Sequence, residues 1–202
     1  VPNTLYEECI EAENWSNYAE YIYPALKVTF DGNGGTVNHA TTMTAYFGKS
    51  LALPTLTNSS KTASYREGFT FDGYYSSDSA GGIQVFTSTG AKTEWTTTNE
   101  ADLDFWLNSA ANTTLYAHWT ANTYTVEFNA NGGSGTMSNQ SFIYGMSQAL
   151  SKNTFTRTNY TFLGWSKSST ATSATYTDGQ SVKNLATSGT VTLYAVWKSS
   201  IE

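Results

Sequence analysis

The chain has 202 residues, 39% of them hydrophobic and 13% charged, with 10 Phe, 14 Tyr and 6 Trp, so one or two packed cores are expected rather than disorder. The net charge of −6 divides into −4 over residues 1–27, −4 over 28–119 and +2 over 120–202. No stretch is basic enough to track phosphates, and no apolar run reaches the ~18 residues of a bilayer crossing, so neither nucleic-acid binding nor membrane insertion is expected.

Residues 1–26 come first and stand apart from the rest. The opening VPNTLYEE lacks the basic start and apolar core of a signal peptide, which reads as a piece of a longer protein. From Asn3 a helix is predicted, with Thr4 as cap and Leu5, Cys9 and Ala12 on one stripe. Trp15, Tyr18, Ala19 and Ile22 continue an apolar face, and Pro24 ends it. Cys9 is the single cysteine, so no internal disulfide forms, and it is expected as a small apolar helix residue. A short amphipathic helical segment at this place suggests the end cap of a preceding repeat domain.

Four blocks then recur in the same order. VTFDGNGG at Val28 returns as VEFNANGG at Val126, and FGKSLAL at Phe47 as YGMSQAL at Tyr144. REGFTFDGYYS at Arg66 returns as RTNYTFLGWSK at Arg157, and TLYAHW at Thr114 as TLYAVW at Thr192. The order predicts two homologous modules, residues 27–120 and 121–199. In TYTVEFN, Tyr124, Val126 and Phe128 alternate with Thr125 and Glu127, a strand with one buried face. In VTLYAVW both faces are largely apolar, which predicts a central strand. The NGG runs read as turns. Gly73 and Gly164 fall inside strands, where they mark a bulge or let a neighbouring Trp or Tyr ring lie across the backbone; the second account is preferred.

Copy one carries extra residues. The pattern TTTNEADLDFWLN predicts a helix near 97–110, capped by Thr98 or Asn99, with Glu100 and Asp102 in the first turn and Leu103, Trp106 and Leu107 on one stripe. Only Thr120–Thr123 separate the modules, a reach of at most ~14 Å, which favours close neighbours over beads on a tether. The expected core is Val28, Phe30, Phe69, Phe71, Leu115 and Trp119 in the first module. In the second it is Val126, Phe128, Tyr160, Phe162, Leu193 and Trp197.

Chemistry-bearing constellations are sparse. The histidines are His39 and His118 only, and His118 stands where the other copy has Val196, so a structural role is expected. No His or Cys pair has metal-ligand spacing. DGNGG invites a calcium-loop reading, but counting twelve positions from Asp31 reaches Thr42 and from Asn129 reaches Gln140, where a carboxylate is needed. Glu100 and Asp104, four apart on one predicted helix, are better explained as a solvated face than as opposed glycosidase acids. No catalytic residue, metal or cofactor is therefore expected. Trp95, Trp106, Tyr74 and Tyr75 are the candidates for a ligand-binding aromatic surface.

The order V-x-F-[DN]-x-N-G-G, aromatic-Gly, R-x-x-[FY]-T-F-x-G-[WY] and T-L-Y-A-x-W resembles the Listeria–Bacteroides repeat of the internalin-B B-repeat type. The segment VPNTLYEECIEAENWSNYAEYI is similar to the cap that follows BspA-type leucine-rich repeats. The resemblance implies small β-grasp modules, each a mixed sheet whose first and last strands lie side by side with an edge free for strand addition. The expected fold class is thus mainly β (α+β): two tandem β-grasp-like modules with a helical N-terminal segment and a helix inserted in module one. The resemblance further implies a non-catalytic spacer or adhesion region on the cell surface of a bacterium or secreted by it. An upstream leucine-rich repeat domain would lie in the same chain. A glycan- or host-protein-binding module is the alternative, and a hydrolase accessory domain the second alternative.

Overall fold

The computed structural model describes residues 25–46, 53–56, 62–91 and 112–201. They divide into two compact units between Thr120 and Ala121, with Glu67–Phe69 grouped with the second. Module one holds strands β1 (Ala25–Asp31), β2 (Thr36–Val37), β3 (Thr42–Tyr46), β4 (Ser64–Tyr65), β5 (Phe69–Tyr75), β6 (Gln84–Thr87) and β7 (Asn112–Ala121). Module two holds β8 (Thr123–Asn129), β9 (Gln140–Ile143), β10 (Gln148–Ala149), β11 (Tyr160–Ser166), β12 (Ser181–Val182) and β13 (Gly189–Ser199).

The sheet of module one runs β3-β1-β7-β5-β6, and that of module two β11-β13-β8-β9. Read from the other end, the second is β9-β8-β13-β11, the order of the first four strands of module one. In each, the first strand pairs antiparallel with the next long strand and parallel with the last one. Smaller features repeat too: β2 pairs with β4 at Thr36 and Tyr65, and an isolated bridge joins Ser134 to Thr156 at the matching place.

Alternation accounts for the first strands. Val28 and Phe30 are buried in module one, and Tyr124, Val126 and Phe128 in module two, while Glu127 faces out. Each module has its own core. Val28, Phe30, Phe71, Tyr74, Val85, Phe86 and Leu115 form the first; Tyr124, Val126, Phe128, Phe142, Phe155, Trp165 and Leu193 anchor the second. Of the remaining expected core residues, Phe69, Trp119, Phe162 and Trp197 are partly buried and Tyr160 is 39% exposed.

Tyr160 is the first residue of β11, paired with Ser199 at the end of β13, and its ring lies under the Arg157 guanidinium at 3.8 Å; a bulge follows further along the strand. The register of β11 against β13 shifts between Phe162 and Gly164, so strict alternation fails and Gly164, Trp165 and Ser166 are buried in succession. Tyr74 corresponds to Trp165 and turns inward with it, so it belongs to the core and offers no face to solvent. The strand glycines also differ from the preferred account. A Cβ on Gly73 would collide with the carbonyl oxygen of Phe86, and one on Gly164 with that of Tyr176. A neighbouring backbone, not a ring, is what excludes a side chain there.

The α+β expectation is corrected: the described residues hold strands and no helix. A β-grasp module needs a helix crossing its sheet, and module two, described throughout from 121 to 201, makes that crossing with turns and the short β10–β12 pair. The physical reason is composition: Ser, Thr, Asn and Gly dominate between Tyr144 and Asn159, and these residues favour local side-chain-to-backbone bonds over helix. The two predicted helices, within 1–26 and near 97–110, fall on residues outside those described.

Candidate functional site

The residues that recur in the sequence meet at one place in each module, the turn that follows the first strand. In module two, Asn131 adopts the left-handed conformation at φ 47°. Its backbone N–H donates to Asn129 Oδ1 at 2.9 Å, a side-chain-closed turn. Its side-chain Nδ2 donates to Ala195 O at 2.9 Å and to Ser169 O at 2.9 Å. The indole Nε1 of Trp197 returns the link by donating to Ala130 O at 2.9 Å. The Trp197 ring lies over Gly133, where an added Cβ would fall 2.8 Å from the ring.

Module one repeats this bond for bond. Asn33, at φ 44°, donates from its backbone to Asp31 Oδ1 at 2.7 Å and from Nδ2 to Ala117 O at 3.0 Å. Trp119 Nε1 donates to Gly32 O at 3.0 Å, and the Trp119 ring covers Gly35. The first residue of the DGNGG run is therefore a turn-closing acceptor. Among the described residues, no cluster of three or more His, Cys, Asp or Glu groups could hold a metal ion. The signal for this latch was present in the sequence as the joint recurrence of NGG and Trp; its partner carbonyls, which any residue supplies, were not.

Removing the latch side chain in one copy gives a direct measure of its worth. Asn131→Ala loses two side-chain hydrogen bonds and places an alanine in a left-handed turn, for an expected cost of about 2–3 kcal/mol. Urea unfolding followed by residue-resolved NMR should show module two destabilised with module one unchanged, and Asn33→Ala the reverse.

The proposed aromatic residues separate. Trp95 and Trp106 lie outside the described residues. Tyr74 is buried, its hydroxyl bonded to His39 Nε2 at 2.8 Å and to Ser64 Oγ at 3.0 Å. Burial pushes the Tyr74 phenol up to about 12, with the Ser64 bond opposing it. Tyr75 is partly exposed and stacks on His118, ring centroids 4.0 Å apart and planes 12° apart. His118 is further held by Nε2 at 2.7 Å from Ser77 O. The Tyr75 phenol is raised, chiefly by burial and then by the Asp72 charge.

The buried polar group that sequence reasoning passed over is His39. It is 4% exposed, with Nδ1 2.8 Å from Ala40 O and its ring edge-on to Phe30 at 4.7 Å. Burial lowers its pKa, with the Ala40 bond opposing. Since Ala40 O only accepts, Nδ1 carries the proton in the neutral ring and Nε2 accepts from the Tyr74 hydroxyl; Ser64 in turn donates to the Tyr74 oxygen.

Some edge groups of the second sheet are also bonded within the module. On β9, Ser141 O accepts from Gln148 Nε2 at 3.2 Å and Ile143 O from the Met146 backbone at 3.2 Å. Gln140 Nε2 donates to Ala149 O at 2.8 Å, while its Oε1 accepts from the Ser151 backbone at 2.8 Å. On β11, Trp165 exchanges backbone bonds with Tyr176 at 2.8 and 3.0 Å. Part of the edge expected to be free for strand addition is thus engaged within module two.

The description Listeria-Bacteroides repeat domain matches residues 27–118 and 124–196, and the chain belongs to that family as a tandem pair. Repeats of this family occur in bacterial surface or secreted proteins and are in general non-catalytic structural modules. Comparison with curated proteins and with solved structures gives no match.

Proposed function

We propose that this tandem is a non-catalytic spacer in a modular protein of the bacterial surface or of the secreted medium. It would hold a neighbouring domain, such as a leucine-rich repeat domain, at a distance. The observation that carries this reading is the use of the recurring residues. Asn33 and Asn131, Trp119 and Trp197, and Gly35 and Gly133 are all engaged in closing each module on itself. Two further facts support it: Asn122 alone separates β7 from β8, and the outward carbonyls of Ser141 and Ile143 on β9 are bonded within module two.

Small-angle scattering of the 202-residue chain tests the reading. An elongated particle whose maximum dimension does not change with ionic strength is the expected result. A collapsed or freely hinged pair would overturn it, because such a pair cannot set a distance.

A further inference from the structure

The geometry points to a further function: each module is a shear clamp built to bear tension along the chain. This rests on the spacer reading, since a spacer is loaded through its ends. In module two the chain enters at the start of β8 and leaves at the end of β13, and these two strands are parallel neighbours. Tension draws β8 toward its N-terminus and β13 toward its C-terminus. For parallel strands those are opposite directions along one axis, so the strands must slide past each other. Every register pair from Gly189↔Tyr124 to Tyr194↔Asn129 is then loaded at once. Module one is loaded in the same way, through β1 and β7, from Lys27↔Asn112 to Asp31↔Tyr116. Antiparallel terminal strands would present both ends on one side and peel apart a bond at a time.

The recurring latch joins these same two elements beyond the last register pair. Asn131 Nδ2 and Ala130 O, in the turn after β8, are bonded to Ala195 O and Trp197 Nε1 on β13. The Trp197 ring sits against Gly133. When β8 is drawn toward its N-terminus, this turn must be dragged past the indole and two hydrogen bonds must break with the ladder. In module one Asn33, Gly32, Ala117, Trp119 and Gly35 stand in the same relation to β1 and β7. The most recurrent side chains of the sequence therefore reinforce the single strand pair that tension would shear. Forced rupture is governed by the unfolding rate, so bonds that must break together raise it more than the same bonds broken in turn.

The test is single-molecule pulling of the 202-residue chain by its two ends, compared with pulling through Thr123→Cys and Ile143→Cys in a Cys9→Ser background. Thr123 and Ile143 are opposite each other in the antiparallel β8–β9 pair, so the second geometry unzips. End pulling should give two rupture events, each at a force several-fold above the unzipping event. Asn131→Ala should weaken one of the two and leave the other in place. Equal forces in the two geometries, or end-to-end rupture no stronger than unzipping, would overturn the clamp. An elongated scattering particle with weak rupture would overturn the clamp while leaving the spacer reading standing. Strong rupture in a freely hinged particle would support the clamp and overturn the spacer.

Discussion

Gly164→Ala is expected to unfold module two or bring it close to unfolding at room temperature. Gly164 has φ 138°, a backbone region in which an L side chain is strained by about 1–3 kcal/mol. The added methyl would also collide with Tyr176 O and sit 2.8 Å from Ala174 Cβ. Neither neighbour is the loose end of a flexible side chain. Relief requires residues 174–176 to move off β11, which breaks the paired backbone bonds between Trp165 and Tyr176. Strain and broken bonds together come to about 4 kcal/mol. A module spanning Thr123–Ser199 has a total stability of roughly 4–12 kcal/mol at the usual yield per residue, so the substitution removes a large part of it. Gly189→Ala is the control: φ is 70° and no atom lies within 4 Å of the new methyl, so only local strain of about 1 kcal/mol is added. Calorimetry of the two variants should separate their module-two transitions by roughly 10 °C or more. Equal shifts would show that the close approach to Tyr176 carries no weight. Gly73→Ala should do the same to module one, where the Phe86 carbonyl takes the part of Tyr176.

This glycine also shows how far the sequence could be read. The duplication, the strand alternation of TYTVEFN and the turn nature of NGG follow from spacing alone, because periodicity and left-handed turns are local properties. The bulge at Phe162/Gly164 is local too, yet it is invisible as a pattern: it shifts the parity of every later residue in the strand without changing any of them. Hence Trp165 and its counterpart Tyr74 are inside, against the alternation extended from Phe162. The latch lay halfway between. Its side chains were conspicuous as repeated Asn and Trp, but their acceptors, Ala130 O and Ala195 O, are backbone groups of residues with no distinguishing chemistry. The α+β class rested on two helical patterns, within 1–26 and near 97–110, that fall outside the described residues, and the residues that are described hold strands alone. His39 was passed over for a related reason. A lone histidine acquires meaning only from Tyr74, 35 positions away, and from the depth at which the pair is held.

That pair makes the stability of module one depend on pH from the acid side. His39 is buried neutral, with its pKa below the ordinary value of 6.5. As pH falls through about 6.5 the unfolded chain takes up a proton on this ring while the folded module does not. The unfolded state then binds more protons, so the contribution of His39, full above pH 6.5, is lost progressively toward its lowered folded value. The charged ring would also place a second N–H against the Tyr74 oxygen, forcing that hydroxyl to turn its proton toward Ser64. Among the described residues no carboxylate is bonded to the ring: Lys27 and Asp31 on β1 are exposed, and the Asp72 carboxylate on β5 accepts from Thr120 Oγ1. Tyr74 sets the alkaline limit in the opposite sense. Its folded pKa is raised to about 12, so its contribution is present below the ordinary value of 10 and is lost as pH rises from 10 toward 12. Neither histidine of the chain lies in module two. Thermal melts followed by residue-resolved NMR between pH 7.5 and pH 4.5, measured on the tandem, should show the module-one transition falling more steeply than that of module two. His39→Gln, which keeps a polar partner for Tyr74 but cannot titrate, should flatten the difference. Parallel slopes in the unsubstituted chain, or a His39 ring titrating above 6.5, would remove the histidine from the account and leave the Ser64–Tyr74 bond as ordinary core polarity.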